Sequence, residues 1–166
     1  MEGIDIVVQS THKCLGALSQ TSLCHLNEGS ATSEQHWAST ILLTTTTSPS
    51  SIFFASIEEA ILNHASDEGK VALNRKVEEA RDVRKRLSEL DGVTIFGRNE
   101  GLLMQDPLKI AFKIRGKSGL EVFQHLRAHN YDPEYYNCAS VLISCHIGTT
   151  KEDLDGIVQV IGDLAS

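Results

Sequence analysis

Apolar positions along this chain change period several times, and each change marks an element. Ile4 to Gln9 is apolar on both faces except for Asp5, the pattern of a strand buried in a larger sheet. A polar, glycine-containing turn region follows from Ser10 to Leu18, and Gln20 to Leu26 reads as a second strand. Thr32-x-x-Gln35 is a capping-box pattern that predicts a helix over Ser33 to Leu43. Thr44 to Ser50 is a Thr/Ser run ending in Ser48-Pro49-Ser50, which suits a loop feeding a helix start. From Ser51 the pattern is helical through Phe54, Ile57 and Ile61 towards Ala65. A longer helix from Asp67 to Leu90 sets Leu73, Val77, Ala80, Val83, Leu87 and Leu90 at steps of three and four. Asp91-Gly92 stops it.

The rest alternates. Val93 to Phe96 and Lys109 to Ile114 read as strands. Ser118-x-x-Glu121 caps a helix running to His129, Ser140 to Ile147 is another strand, and Thr149-x-x-Glu152 caps a last helix. Helix, strand, strand, helix, strand, helix is a small α+β lobe. On this reading the chain divides into residues 1–66 and residues 67–166, the second entered through the long helix. A domain that opens in mid-strand is expected to be the tail of something longer.

Composition narrows the picture. The chain has 166 residues, 41% hydrophobic and 22% charged, enough for one compact domain or two small lobes. Twenty-two acidic residues against 15 Lys and Arg leave a formal charge of −7, which repels phosphate backbones and argues against a nucleic-acid partner. Cys14, Cys24, Cys138 and Cys145 form no C-x-x-C pair and read as reduced thiols packed as small hydrophobes. The longest apolar runs, such as Ile52 to Ala55, fall far short of a membrane span, and no secretory signal opens the sequence. A soluble intracellular protein is expected, in the cytoplasm or an organelle. His125 and His129 have a zinc-capable i, i+4 spacing but lack a third ligand in the pattern. Cys145-His146 are strand neighbours that face opposite sides, so they make a poor nucleophile and base.

One stretch carries chemistry. Ser10-x-His12-Lys13-x-x-Gly16-Ala17-x-Ser19-Gln20-Thr21-Ser22 resembles, position by position, the cofactor-attachment signature of the ornithine/lysine/arginine decarboxylase family. That resemblance implies an α/β protein: a remnant of the fold-type-I large domain over residues 1–66, followed by a small C-terminal α+β domain. It implies pyridoxal phosphate as cofactor, Lys13 as the catalytic Schiff-base lysine, and Ser10 and His12 as cofactor contacts. Thr45-Thr46-Thr47-Ser48-Pro49-Ser50 with Ala55-Ser56 is similar to the family's Thr/Ser-Ser-Pro segment. By that likeness Thr47 and Ser48 touch the phosphate of cofactor bound mainly by another subunit; helix capping ahead of Ser51 is their other role. Asp106-Pro107-Leu108-Lys109-Ile110 and Tyr131-Asp132-Pro133-Glu134 resemble the family's small domain. The implied partners are a homo- or hetero-oligomer with a family member and a basic amino acid as substrate.

The residue types suit the assignment. A lysine that forms an imine must lie near an aldehyde and be kept deprotonated by desolvation or a nearby positive group. Lys13 follows an apolar strand, where open α/β sheets place their ligands. In an extended backbone Ser10 and His12 point to one side and Lys13 to the other. The resemblance also implies an aspartate for the ring nitrogen, a stacking ring and a phosphate turn, all ahead of the attachment lysine. Only twelve residues precede Lys13, and Asp5 falls within the predicted strand. The expectation is therefore the C-terminal portion of a decarboxylase of arginine, lysine or ornithine, inactive alone. The alternatives are a non-catalytic interaction or regulatory protein pairing with a full-length homologue, and another fold-type-I enzyme such as an aminotransferase.

Overall fold

The structure, a computed structural model, describes residues 4–97 and 106–166. The chain forms two units, Met1–Lys70 and Val71–Ser166. The first holds strand β1 (Ile6–Gln9), a one-turn helix α1 (Thr11–Cys14), strand β2 (Leu23–Leu26) and helices α2 (Glu34–Thr44) and α3 (Ser51–Ala65). The division falls inside helix α4 (Asp67–Glu89). The second unit continues with β3 (Val93–Ile95), β4 (Lys109–Ile114), α5 (Gly119–Ala128), β5 (Tyr135–Tyr136), β6 (Val141–Ser144) and α6 (Lys151–Ala165).

In the C-terminal unit, β3-β4-β6-β5 form an antiparallel sheet, with Ile110 opposite Ile143 and Phe112 opposite Val141. Alternation along β4 sends Ile110, Phe112 and Ile114 inward. They meet Ala80, Val83 and Leu87 of α4, Val122 and Leu126 of α5, and Leu154, Val158 and Ile161 of α6 in one core. Of the periodic residues read for the long helix, Ala80, Val83 and Leu87 are buried, Val77 and Leu90 are half-buried, and Leu73, a turn nearer the start, is exposed. Gly92, with φ +78°, makes the turn from α4 to β3 that a side chain would strain. The buried Lys76 ammonium donates to Glu79 and to the Thr149 carbonyl, so its charge is both paired and hydrogen-bonded.

The caps were legible with two shifts of one residue. Ser118 and Glu121 form the expected reciprocal box at α5. At α6 the box is Thr150 with Asp153, not Thr149 with Glu152, because Thr149 is already used in the turn after β6. There its hydroxyl accepts from the His146 amide and its own amide donates to the His146 carbonyl. At α2 the cap is Ser33, not Thr32, because the Thr32 amide is held by the Ser30 hydroxyl.

The N-terminal unit departs further from expectation. β1 and β2 pair antiparallel, Val7 opposite His25, as a two-stranded sheet. β1 is not buried on both faces: Ile6 and Val7 are half-buried and Val8 is exposed, because the strand has one neighbour. Asp5 lies just before the strand rather than within it. Ser10 to Leu18 contains the helical turn α1 instead of loop alone.

Candidate cofactor-attachment site

Ser10 is the N-cap residue of α1, and the Leu15 amide donates to the Thr11 carbonyl to close the turn. Helical geometry rotates successive side chains by about 100°, so the strand-like division of Ser10 and His12 from Lys13 is corrected. Thr11 points inward, His12 is half-buried and Lys13 is exposed.

Behind this turn lies a polar clamp. The Thr11 hydroxyl donates to the Thr21 hydroxyl at 2.7 Å, and the Thr21 hydroxyl donates to the Leu18 carbonyl at 2.7 Å. Both threonines are buried, where an unpaired hydroxyl would be costly. His12 Nδ1 lies 2.8 Å from the Thr21 carbonyl. A carbonyl only accepts, so Nδ1 carries the proton, and the bond fixes the ring by Nδ1 rather than Nε2. The chain reverses between the clamp's two halves through Gly16 at φ +76° and Gln20 at φ +73°. Nothing approaches within 4 Å of a Cβ built on Gly16, so backbone conformation rather than space selects glycine there. The Leu18 amide donates to the Ser56 hydroxyl at 3.3 Å, tying the Thr/Ser segment's serine to the signature loop.

Thr47 and Ser48 are exposed in the loop between α2 and α3. The Ser48 amide donates to the Thr46 hydroxyl, a local turn, and the N-cap of α3 is Ser50, so neither residue caps that helix. Thr47 lines a groove of 1460 Å³ between β2 and α2, whose described lining includes none of Ser10, His12 and Lys13. The structure thus gathers Ser10, His12 and Lys13 on one turn, and Thr47 and Ser48 lie in the loop between α2 and α3. Sequence reasoning missed Thr11, which sat at an unconstrained position of the signature, and gave Thr21 no role.

The other candidates resolve simply. The His129 ring, at Nδ1, lies 2.9 Å from the His125 carbonyl, a bond within one helix. The expected strand over Ser140 to Ile147 is shorter, ending at Ser144, so Cys145 and His146 follow it in the turn region, Cys145 buried and His146 exposed. Burial pushes the Cys145 thiol up, partly offset by Lys76 and Arg84. Cys14 and Cys138 are exposed, and all four thiols are free. Among the described residues, no helix is long and apolar enough to cross a membrane.

The mixed helix and sheet architecture is of the α/β class. The solved structure of Escherichia coli constitutive lysine decarboxylase superposes with a TM-score of 0.76 at 24% identity, over 96% of this chain and 28% of that one. A phosphoserine aminotransferase, SerC, from Cytophaga hutchinsonii superposes at 0.70 with 11% identity, over 98% of this chain and 50% of that one. Likeness at such identities shows the fold alone. The Orn/Lys/Arg decarboxylase family, major domain, matches residues 2–152, and this chain belongs to that family. The arginine decarboxylase of Bacillus subtilis is 28% identical over 98% of this chain and 34% of its own length. The E. coli (strain K12) lysine decarboxylase reaches 42% identity over 82 residues, 49% of this chain and 11% of that protein. The chain therefore spans about a third of the length of the curated arginine decarboxylase it matches.

Proposed function

We propose that this chain is the C-terminal portion of a pyridoxal-phosphate-dependent decarboxylase of arginine, lysine or ornithine, with Lys13 as the attachment residue. On this reading residues 1–66 belong to the cofactor-binding large domain and residues 67–166 form the small domain. The observation that carries it is the local frame around Lys13: a single helical turn directly after β1, with its backbone locked from behind by Thr11 and Thr21. Lys13 is exposed here, so the desolvation an imine lysine needs would come from the rest of the pocket.

The residues present fit the attachment end of the cofactor. Lys13 offers the amine, and Ser10 and His12 offer a hydroxyl and an imidazole on the same turn for the phosphate. With Nδ1 engaged by the Thr21 carbonyl, His12 has Nε2 left for such a contact. The ring end is not supplied in the same way: ahead of Lys13 the described chain holds Asp5 as its carboxylate, on the far side of β1 in sequence. When bound, the cofactor supplies an electron sink for the charge left by loss of carbon dioxide. The chain's own part is to present an amine and fix an imidazole. A complete pocket then takes its remaining groups from other parts of the family's large domain, with Thr47 and Ser48 serving the phosphate of cofactor bound mainly by another subunit.

The test is pyridoxal phosphate added to the purified chain, alone and with a full-length family member. A visible absorption band, and after borohydride reduction a cofactor-sized mass increment on Lys13, are expected, both absent in Lys13→Ala. Absence of band and increment in every mixture overturns the cofactor reading. A second reading, a non-catalytic protein that pairs with a full-length homologue, is favoured by the exposed apolar side chains of α2 and α3. Under it Lys13→Ala rescues the biological function as well as wild type does.

A further inference from the structure

Thr21 decides which nitrogen of His12 can act. Its carbonyl lies 2.8 Å from Nδ1 and accepts the ring's N–H there, and Nε2 makes no hydrogen bond among the described residues. A neutral imidazole carries one proton, so Nε2 is then a bare acceptor. The other tautomer would set the Nδ1 lone pair against the carbonyl oxygen. That carbonyl is not free to turn away, because the Thr21 hydroxyl is buried between the Thr11 hydroxyl and the Leu18 carbonyl, each at 2.7 Å.

Little charge from the chain itself bears on this ring. Lys13 and Cys14 share its turn, and β2 adds Cys24 and His25, the latter with Nε2 3.0 Å from Gln9 Oε1. Asp5 lies ahead of β1, and the α3 side chain that reaches the signature loop is the neutral Ser56. Among the described residues no carboxylate is ion-paired with His12. The counter-charge for an imidazolium must therefore come from a ligand. A phosphate monoester above about pH 6 is a dianion that only accepts hydrogen bonds. Against a bare Nε2 it sets acceptor against acceptor, so a bond between them needs one proton that neither carries at about pH 8.

We propose that His12 holds the cofactor phosphate as an imidazolium, so that cofactor binding takes up one proton at Nε2, with Thr21 as the positioning residue that enforces it. The proton comes from solvent, and no bond between heavy atoms forms or breaks. The proposal rests on the reading that Ser10 and His12 contact the phosphate, and it adds the charge state and pH dependence of that contact. The chain labelled with nitrogen-15 in histidine, alone and with an unlabelled full-length family member, tests it by nitrogen NMR at about pH 8. The His12 signals are those missing from His12→Gln. Without cofactor the ring should show N–H at Nδ1 and a bare Nε2; with pyridoxal phosphate it should show N–H at both. Pyridoxine 5′-phosphate, with an alcohol in place of the aldehyde, leaves Lys13 out of the measurement. Its binding should weaken about tenfold for each pH unit above about pH 7. His12→Gln, whose amide donates without titrating, should remove that slope. A bare Nε2 while the cofactor-sized mass sits on Lys13 overturns the inference and leaves the cofactor reading standing. So does a free chain with N–H at Nε2 and a bare Nδ1, or a slope unchanged in His12→Gln. Cofactor absent from Lys13 in every mixture overturns both.

Discussion

In the C-terminal unit Phe112, Leu87 and Ile161 have no exposed surface, whereas in the N-terminal unit Phe54, Leu42 and Ile52 are mostly exposed. The difference is not one of composition, because both sets are large hydrophobes on regular elements. It lies in layers: β4 and β6 present an alternating face to three helices, while the N-terminal unit's two strands and helices α1 to α3 enclose, among the described residues, only Ala17 and Ala60 as hydrophobes. The apolar residues of one unit are packed into a core and most of those of the other stay exposed. What order the N-terminal unit has near Lys13 comes instead from buried hydroxyls and turn geometry.

The sharpest way to break this comparison is to make the same truncation in both units. Phe112→Ala should cost about 3–5 kcal/mol, the usual loss for a fully buried phenylalanine. Phe54→Ala should change stability by no more than about 0.5 kcal/mol, as an exposed substitution does. Urea unfolding followed by circular dichroism measures both, and thiol labelling reports where the change falls. Cys145 is buried with its thiol pushed up by burial, so it should label only as the C-terminal unit opens, while Cys14 reacts at once. A Phe54→Ala variant as unstable as Phe112→Ala would mean that the exposed face carries folding energy after all.

A smaller effect tests the hydroxyl clamp. Thr21→Val keeps the shape but removes the bond to the Leu18 carbonyl and leaves the Thr11 hydroxyl buried without its partner. The loss should be about 1–3 kcal/mol. It should show as faster amide exchange at Leu15 and other backbone amides of the signature loop, together with weaker pyridoxal phosphate uptake, and with exchange in β4 and β6 unchanged. Equal acceleration in β4 would show that the two units open together.

Much of this was readable beforehand, and the parts that were not share a cause. Ser118-x-x-Glu121 needs only local geometry and was found where the pattern put it. Thr150 displaced Thr149 because the preceding turn, itself set by His146, had claimed the earlier hydroxyl. Lys13 could be picked out by the residues around it, but the Thr11–Thr21 bond joins positions ten apart through a reversal at Gly16 and Gln20. No periodicity encodes such a contact. The groove was hidden for another reason: Phe54 fell on a helical apolar pattern, and apolar spacing cannot say whether anything covers it.

The mildest perturbation separates the units by pH. In the C-terminal unit the Thr150 amide and hydroxyl both bond to the Asp153 carboxylate, and the Ser118 amide and hydroxyl both bond to Glu121. Those backbone bonds first, and the hydroxyl bonds second, hold both carboxyls below their usual range. A carboxyl lowered in the folded state contributes its stability in full above the ordinary carboxylate range, and that contribution is lost as pH falls through the folded value. Thr150→Ala removes the cap and should cost about 1 kcal/mol at neutral pH. It should also flatten the acid limb of the unfolding curve, since Asp153 then has less to lose on protonation. At α2, by contrast, the Ser33 hydroxyl accepts from the His36 amide and no carboxylate completes a box. Ser33→Ala should therefore lower helix content near α2 equally at neutral and acid pH. An acid limb unchanged by Thr150→Ala would assign the acid sensitivity of the C-terminal unit to its other carboxylates, such as Asp155 beside Arg86.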